Sequence, residues 1–268
     1  VIIPSLWSIY ILLYMAWRIR QGVFMGGLAI AFGFTALLYA AVGFGGGSTY
    51  TALLILGGVA VGLVPAISLA CNVIVVSGGT IRFARAGVMP WAKALPLIAV
   101  AAPLAFLGGL TPVKQGVLVM LLGLSLLASA IALLFQPRTA QPVKLSPKLL
   151  LPIAAALGYL AGVVGIGGGI FLAPILHLIR WAEERSVAAT ASLFILVNSL
   201  FGLTGQLIKG QGGAMVGAVA SHWPLLVAVL IGGAIGTQLA VKSGPAALIR
   251  RLTAVLVGFV AIRLLFGF

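Results

Sequence analysis

Gly43-Phe44-Gly45-Gly46-Gly47-Ser48-Thr49 and Gly165-Ile166-Gly167-Gly168-Gly169-Ile170-Phe171 interrupt two long apolar regions of this chain. Consecutive glycines expose peptide groups that hydrocarbon cannot satisfy. Within a bilayer such backbone survives only inside protein or along a wet cavity. Helices that restart after Gly47 and Gly169 present unpaired N–H groups and the positive end of a dipole. Two restarts facing each other at mid-membrane form an anion site from backbone alone. The expected binding residues are Gly45, Gly46 and Gly47 in one break and Gly167, Gly168 and Gly169 in the other. Ser48 and Thr49 add hydroxyl donors to the first break, whereas Ile170 and Phe171 stand there in the second. Close helix packing accounts for many single glycines in membranes; two matched five-residue motifs favour a site. A dinucleotide loop needs a preceding strand and an acid about 20 residues later, and the sequence offers neither.

Composition places these breaks in a membrane. The 268 residues are 62% hydrophobic and 7% charged, against about 25% charged in a soluble domain. Only two acids occur, Glu183 and Glu184, side by side in one loop. Cation-coupled carriers and proton pumps usually keep an intramembrane carboxylate, so an anion is the better passenger. The net charge of +14 comes from basic residues scattered singly at span ends. That pattern anchors and orients spans and excludes a nucleic-acid surface. No metal cluster or nucleophile–base pair is visible, so no enzyme chemistry, metal or cofactor is expected. Cys71 is the sole cysteine, which excludes an internal disulfide.

Read in order, Ile2 to Trp17 forms a first span closed by Arg18 and Arg20. It lacks the charged start and cleavage site of a signal peptide. Phe24 to Ala41 leads into the first break, and Thr49 to Val61 leaves it. Spans over Ala66 to Ile81, Ala94 to Leu110 and Val117 to Phe135 follow. Residues 137–148 are polar and proline-rich and read as a linker. The order then repeats: Leu149 to Val164, the second break, Ile170 to Trp181, and spans over Val187 to Ile208, Trp223 to Val241 and Leu252 to Phe266. Lys209 to Ser221 reads as a glycine-containing loop. Gly45 and Gly167 are offset by 122 residues, Asn72 and Asn198 by 126, Pro96 and Pro224 by 128. Break, Asn and Pro in one order with slowly drifting offsets point to duplication.

The expected fold is an all-α polytopic membrane protein of two inverted repeats, 21–136 and 149–268, after an extra N-terminal helix over 1–20. Each repeat is a glycine-broken helical hairpin plus three transmembrane helices. The alternative has each broken segment crossing once. Basic residues divide 11 against 5 across the membrane in the hairpin arrangement and 10 against 6 in the other. Asymmetry of that kind favours hairpins. Length agrees: Leu149 to Trp181 is 33 residues, about 50 Å as one helix against a core of about 30 Å.

Asn72 and Asn198 follow the breaks at corresponding places and offer uncharged N–H donors, suited to an anion that must leave again. Ser68 shares the helical face of Asn72. Thr204, Gln206, His177 and Cys71 are weaker candidates, read more readily as structural. Gly158 with Gly162 and Gly232 with Gly236 have the spacing of helix-packing glycines.

At GFGGGSTYTALLIL (43–56) and GIGGGIFLAPILHL (165–178) the chain resembles the TauE/SafE sulfite exporter family, also called the toluene-sulfonate uptake permeases. The resemblance covers nearly everything after residue 24. It implies a multi-pass permease for sulfite, sulfonates or thiosulfate in a prokaryotic cytoplasmic (inner) membrane, alternating access around the two glycine tips. The first motif departs by having Ala52 where the second has Pro174. The expected partners are a small anionic substrate and membrane lipid; the oligomeric state stays open, with a homodimer as one option. An uncoupled anion channel or a non-transporting membrane subunit is the competing reading.

Overall fold

The computed structural model describes residues 25–41, 43–134, 147–210 and 213–239, with positions 254, 255, 258, 259, 261, 262, 265 and 266 near the C-terminus. The expected helix over 1–20 and most of the linker lie outside the described residues. Those described are helical apart from turns, with no strand among them.

The helices are α1 (Met25–Ala41), α2 (Gly47–Leu56), α3 (Val64–Arg85), α4 (Trp91–Leu110) and α5 (Gln115–Leu134). After the linker come α6 (Pro147–Val164), α7 (Gly169–Leu178), α8 (Glu184–Lys209), α9 (Gly213–Ser221) and α10 (Trp223–Leu239). Three of them, α3, α4 and α8, are each long and apolar enough to cross a bilayer. On α5, Val117, Met120, Leu124 and Ile131 face outward while Leu118, Leu122, Ser125 and Ser129 are buried. An exposed apolar face of this extent marks contact with lipid.

Several boundaries differ from the sequence reading: α2 stops at Leu56 rather than Val61 and α7 at Leu178 rather than Trp181, and two further differences concern the linker and a loop. Pro147 and Lys148 belong to α6 rather than to the linker; proline suits a first helical turn, whose N–H has no intrahelical partner anyway. The stretch read as a loop up to Ser221 contains α9. Ala, Met and Val between its two glycines supply enough helix preference to outweigh them. The chain bends by 61° between α9 and α10, where Ser221 and His222 both bond back to the Ala218 carbonyl.

The two helices that leave the breaks, α2 and α7, have 10 residues each, about 15 Å, half the hydrocarbon thickness. Local chemistry stops them. At the end of α2, Gly58 adopts φ 71°, Gly58 N–H bonds to Ile55 O and Val59 N–H to Leu54 O. At the end of α7, Arg180 adopts φ 48°, its N–H bonds to His177 O and Trp181 N–H to Leu176 O. Both are Schellman stops, which pair the last orphan carbonyls through a left-handed residue.

Contacts between backbones fix relative directions. Gly33 and Leu37 of α1 meet Gly232 and Gly236 of α10 in that order, so α1 runs with α10. α3 runs with α10 as well: Val75 lies against Gly233, and the Arg82 guanidinium donates to the Thr237 carbonyl. The chain from the first break into α2 runs against α3, because Gly43 meets Phe83, Gly45 meets Val76 and Thr51 bonds to Ser68. Across the molecule, Ala101 and Ala105 of α4 meet Gly158 and Gly162 of α6, and Ala105 and Gly109 meet Gly202 and Gly205 of α8. Those three helices run together. The second break and α7 run against α8, because Gly167 meets Ser199 and Gly169 meets Ala191. α3 and α8 cross antiparallel, with Thr80 bonded to Ser192 at 3.0 Å and Leu69 against Gly202. The pairs at Gly158, Gly162, Gly232 and Gly236 thus pack backbone on backbone, as their spacing predicts.

Candidate substrate site between the two glycine breaks

The two breaks meet in the interior. A methyl group placed on Gly47 would lie 2.6 Å from the Ile166 carbonyl oxygen. Each restarting helix is entered through a left-handed glycine: Gly46 has φ 90° before α2, and Gly168 has φ 77° before α7. An L-residue in that conformation costs roughly 1–2 kcal/mol, so glycine is the residue the turn requires. Neither helix start is capped by a side chain. Their first-turn N–H groups thus lack a side-chain acceptor, and each helix start carries the positive end of its dipole.

α3 clamps the breaks together. The Ser68 hydroxyl lies 3.0 Å from Gly47 O and 2.8 Å from Gly165 O, and accepts from the Thr51 hydroxyl at 3.1 Å. One turn on, Asn72 Nδ2 donates to Ile166 O at 3.2 Å. Two side chains of the first half thus hold backbone carbonyls of the second. Asn72 Oδ1 is buried and unpaired, at the position where a side chain on Gly45 would begin.

Tyr39, in the last turn of α1, reaches over the start of α2. Its hydroxyl lies 2.8 Å from Thr49 Oγ1 and 3.2 Å from Ser48 Oγ. All three are buried. Nothing in the sequence pattern marked Tyr39, since one tyrosine in an apolar run has no periodic signature. A cavity of about 10 Å³ remains, lined by Tyr39, Phe44, Gly45, Gly46, Gly47, Ser48, Ile166, Ile170 and Ile195. That is room for one water, with no carboxylate, amine or guanidinium in its wall.

The ten residues expected from sequence are all buried: Gly45, Gly46, Gly47, Ser48, Thr49, Asn72, Gly167, Gly168, Gly169 and Asn198. Nine of them belong to the two breaks or to α3 beside them. Asn198 is placed differently from its expected pairing with Asn72. The α8 atoms nearest Gly45, Gly167 and Gly169 come from Ile195, with Ser199 also beside Gly167. Neither amide atom of Asn198 has a hydrogen bond, nor has the Ser199 hydroxyl. Among the weaker candidates, Gln206 Nε2 donates to Gly162 O at 2.8 Å, and Thr204 bonds back to Leu200 O on an exposed face. Cys71 is packed in an apolar cluster with Phe32, Ile67 and Val75. Among the described residues no group of acids, histidines and cysteines could hold a metal.

An all-helical, lipid-faced molecule with irregular backbone buried at its centre is a multi-pass membrane protein. Residues 28–264 match the family model described as sulfite exporter TauE/SafE. The chain belongs to that family of membrane transporters. It is 32% identical over 246 residues, 89% of its length and 97% of the relative's, to a probable membrane transporter protein, y4hK, of Sinorhizobium fredii. It is 36% identical over 103 residues to sulfite exporter TauE/SafE family protein 1 of Arabidopsis thaliana, covering 38% of this chain and 22% of the plant protein. No solved structure matches it.

Proposed function

We propose that the protein is a permease for small sulfur-containing oxyanions, working by alternating access around a site at Gly45–Gly47 and Gly167–Gly169, in a prokaryotic cytoplasmic membrane. The observation that carries this reading is the burial of two uncapped helix starts side by side, Gly47 against Ile166. Bare N–H groups in low dielectric attract an anion more strongly than in water, and the absence of fixed cations at the cavity lets it leave. The relatives' names supply the substrate class, sulfite.

In the same reading the halves are inverted repeats, each a glycine-tipped hairpin followed by three spans. Several relations support it. α2 opposes α1 and α7 opposes α6, while the corresponding helices α3 and α8 cross antiparallel. The packing is also reciprocal: Gly108 of α4 abuts Tyr159 of α6, and Gly236 of α10 abuts Leu37 of α1. Each is the counterpart of the other, offset by 128 and 122 residues.

The test is Gly46→Leu and Gly168→Leu, purified beside the wild type. Sulfite binding is lost in both while membrane insertion persists. Wild-type affinity in both variants would refute the site. In proteoliposomes loaded with sulfite, saturable flux with counterflow is the expected result. Flux without counterflow would make the protein a channel, and no flux a non-transporting subunit.

A further inference from the structure

Around the Asn72 amide the packing leaves acceptors short of protons. Asn72 Nδ2 donates to Ile166 O, which settles the orientation of the amide, since the reverse would set oxygen against oxygen. Oδ1 is therefore the atom left unpaired, in a fully buried residue. The Ser199 hydroxyl of α8 is buried and unpaired as well. Three glycines keep space around these atoms. A methyl group on Gly45 would lie 2.6 Å from Oδ1, and one on Gly47 3.0 Å from Oδ1 and 2.6 Å from Ile166 O. One on Gly167 would lie 3.0 Å from Asn72 Nδ2 and 3.1 Å from Ser199 Oγ. One turn earlier, the single proton of the Ser68 hydroxyl is within reach of two carbonyls, Gly47 O and Gly165 O. Buried acceptors without donors cost free energy unless something else satisfies them.

We infer that these oxygens form a site for a sodium-sized monovalent cation, bound beside the anion and together with it. This rests on the permease reading above. The ligands are Asn72 Oδ1, Ser199 Oγ and the Gly165 and Ile166 carbonyls, all of them hard oxygen donors. None carries a charge, which fits a monovalent ion; calcium and magnesium sites draw on carboxylates or retained water. Unwound backbone carbonyls take the same role in other carriers built on broken helices. The adjoining cavity of about 10 Å³ has room for one water-sized body, so the ion sheds its hydration shell. A lone cation would be repelled by the positive starts of α2 and α7. An anion at those N–H groups reverses the local field, and the pair carries less net charge into the low-dielectric interior. The anion thus supplies the counter-charge that an intramembrane carboxylate provides elsewhere. The coupling is reciprocal, each ion raising the affinity for the other by the same factor.

The experiment measures sulfite binding to the purified full chain by calorimetry, at one ionic strength, in sodium, potassium or choline chloride. Sulfite is added as its choline salt, and the series is repeated with Ser199→Ala. In the wild type the affinity in sodium is expected to be at least about fivefold higher than in choline, and higher than in potassium. Ser199→Ala removes a hydroxyl that bonds to nothing in the protein, so the fold has no hydrogen bond to lose. In that variant the sodium-to-choline ratio shrinks by about threefold or more. Equal affinity in sodium and choline, or an equal rise in potassium, would overturn the inference and leave the permease reading standing. An unchanged ratio in a folded Ser199→Ala protein would overturn it equally. If sulfite binds in none of the three salts, the permease reading fails and takes the inference with it. The wild-type comparison decides alone should the variant not fold.

Discussion

Asn72, on α3, donates its amide proton to the carbonyl oxygen of Ile166 in the second glycine break, 94 residues away in the chain. That bond crosses between the halves at the place where the two helix starts meet. It ties the two breaks together across the halves. Ser68, one turn earlier, does the same for the Gly165 carbonyl.

Asn72→Leu and Asn198→Leu should therefore differ in sign. The first strips the Ile166 carbonyl of its donor and costs about 1–3 kcal/mol. The second removes a buried amide that makes no hydrogen bond and is neutral or stabilising. Thermal unfolding of both variants in detergent checks this. Equal destabilisation would show that Asn198 has a partner of its own.

Arg180 ends α7 in a left-handed conformation that Gly58 adopts at the end of α2. Arg180→Gly relieves strain of about 1–2 kcal/mol and gives back part of it through the freer unfolded chain. A net gain of roughly 0.5–1 kcal/mol is expected. A lower melting temperature than wild type would mean that the arginine side chain holds the loop in another way.

Tyr39 and Thr49 are bonded at 2.8 Å out of contact with solvent. A double-mutant cycle over Tyr39→Phe and Thr49→Val should return a coupling of about 0.5–3 kcal/mol. Additive effects, with no coupling, would remove Tyr39 from the site. Uptake assays on the same four proteins report whether that bond also sets the rate of opening.

Cys71 is buried, so native thiol labelling gives a low background. Ala60→Cys lies in the turn after α2 and Glu184→Cys at the start of α8, both exposed. With inverted halves, a membrane-impermeant maleimide labels them from opposite faces of the bilayer. Labelling of both from one face would require parallel halves.

The sequence alone determined the class of molecule, because so few charges over so much apolar chain leave only a membrane as solvent. It also located both breaks, since runs of glycine are a local property of the chain; which of those glycines are left-handed came from the structure. The packing role of Gly158, Gly162, Gly232 and Gly236 was legible from their spacing. What the tertiary structure decided is register across helices. Counting along the chain paired Asn72 with Asn198, yet Ile195 faces the glycines as Asn72 does. Connecting turns differ in length between the halves, and helix register follows side-chain packing between α3 and α8 rather than residue number. For the same reason Tyr39 was invisible beforehand: its partners are set by the fold-back of α2 over α1, which brings a lone phenol onto two hydroxyls. The small cavity between the breaks, walled by residues 39–48 of one half and by Ile166, Ile170 and Ile195 of the other, exists only once that packing is complete.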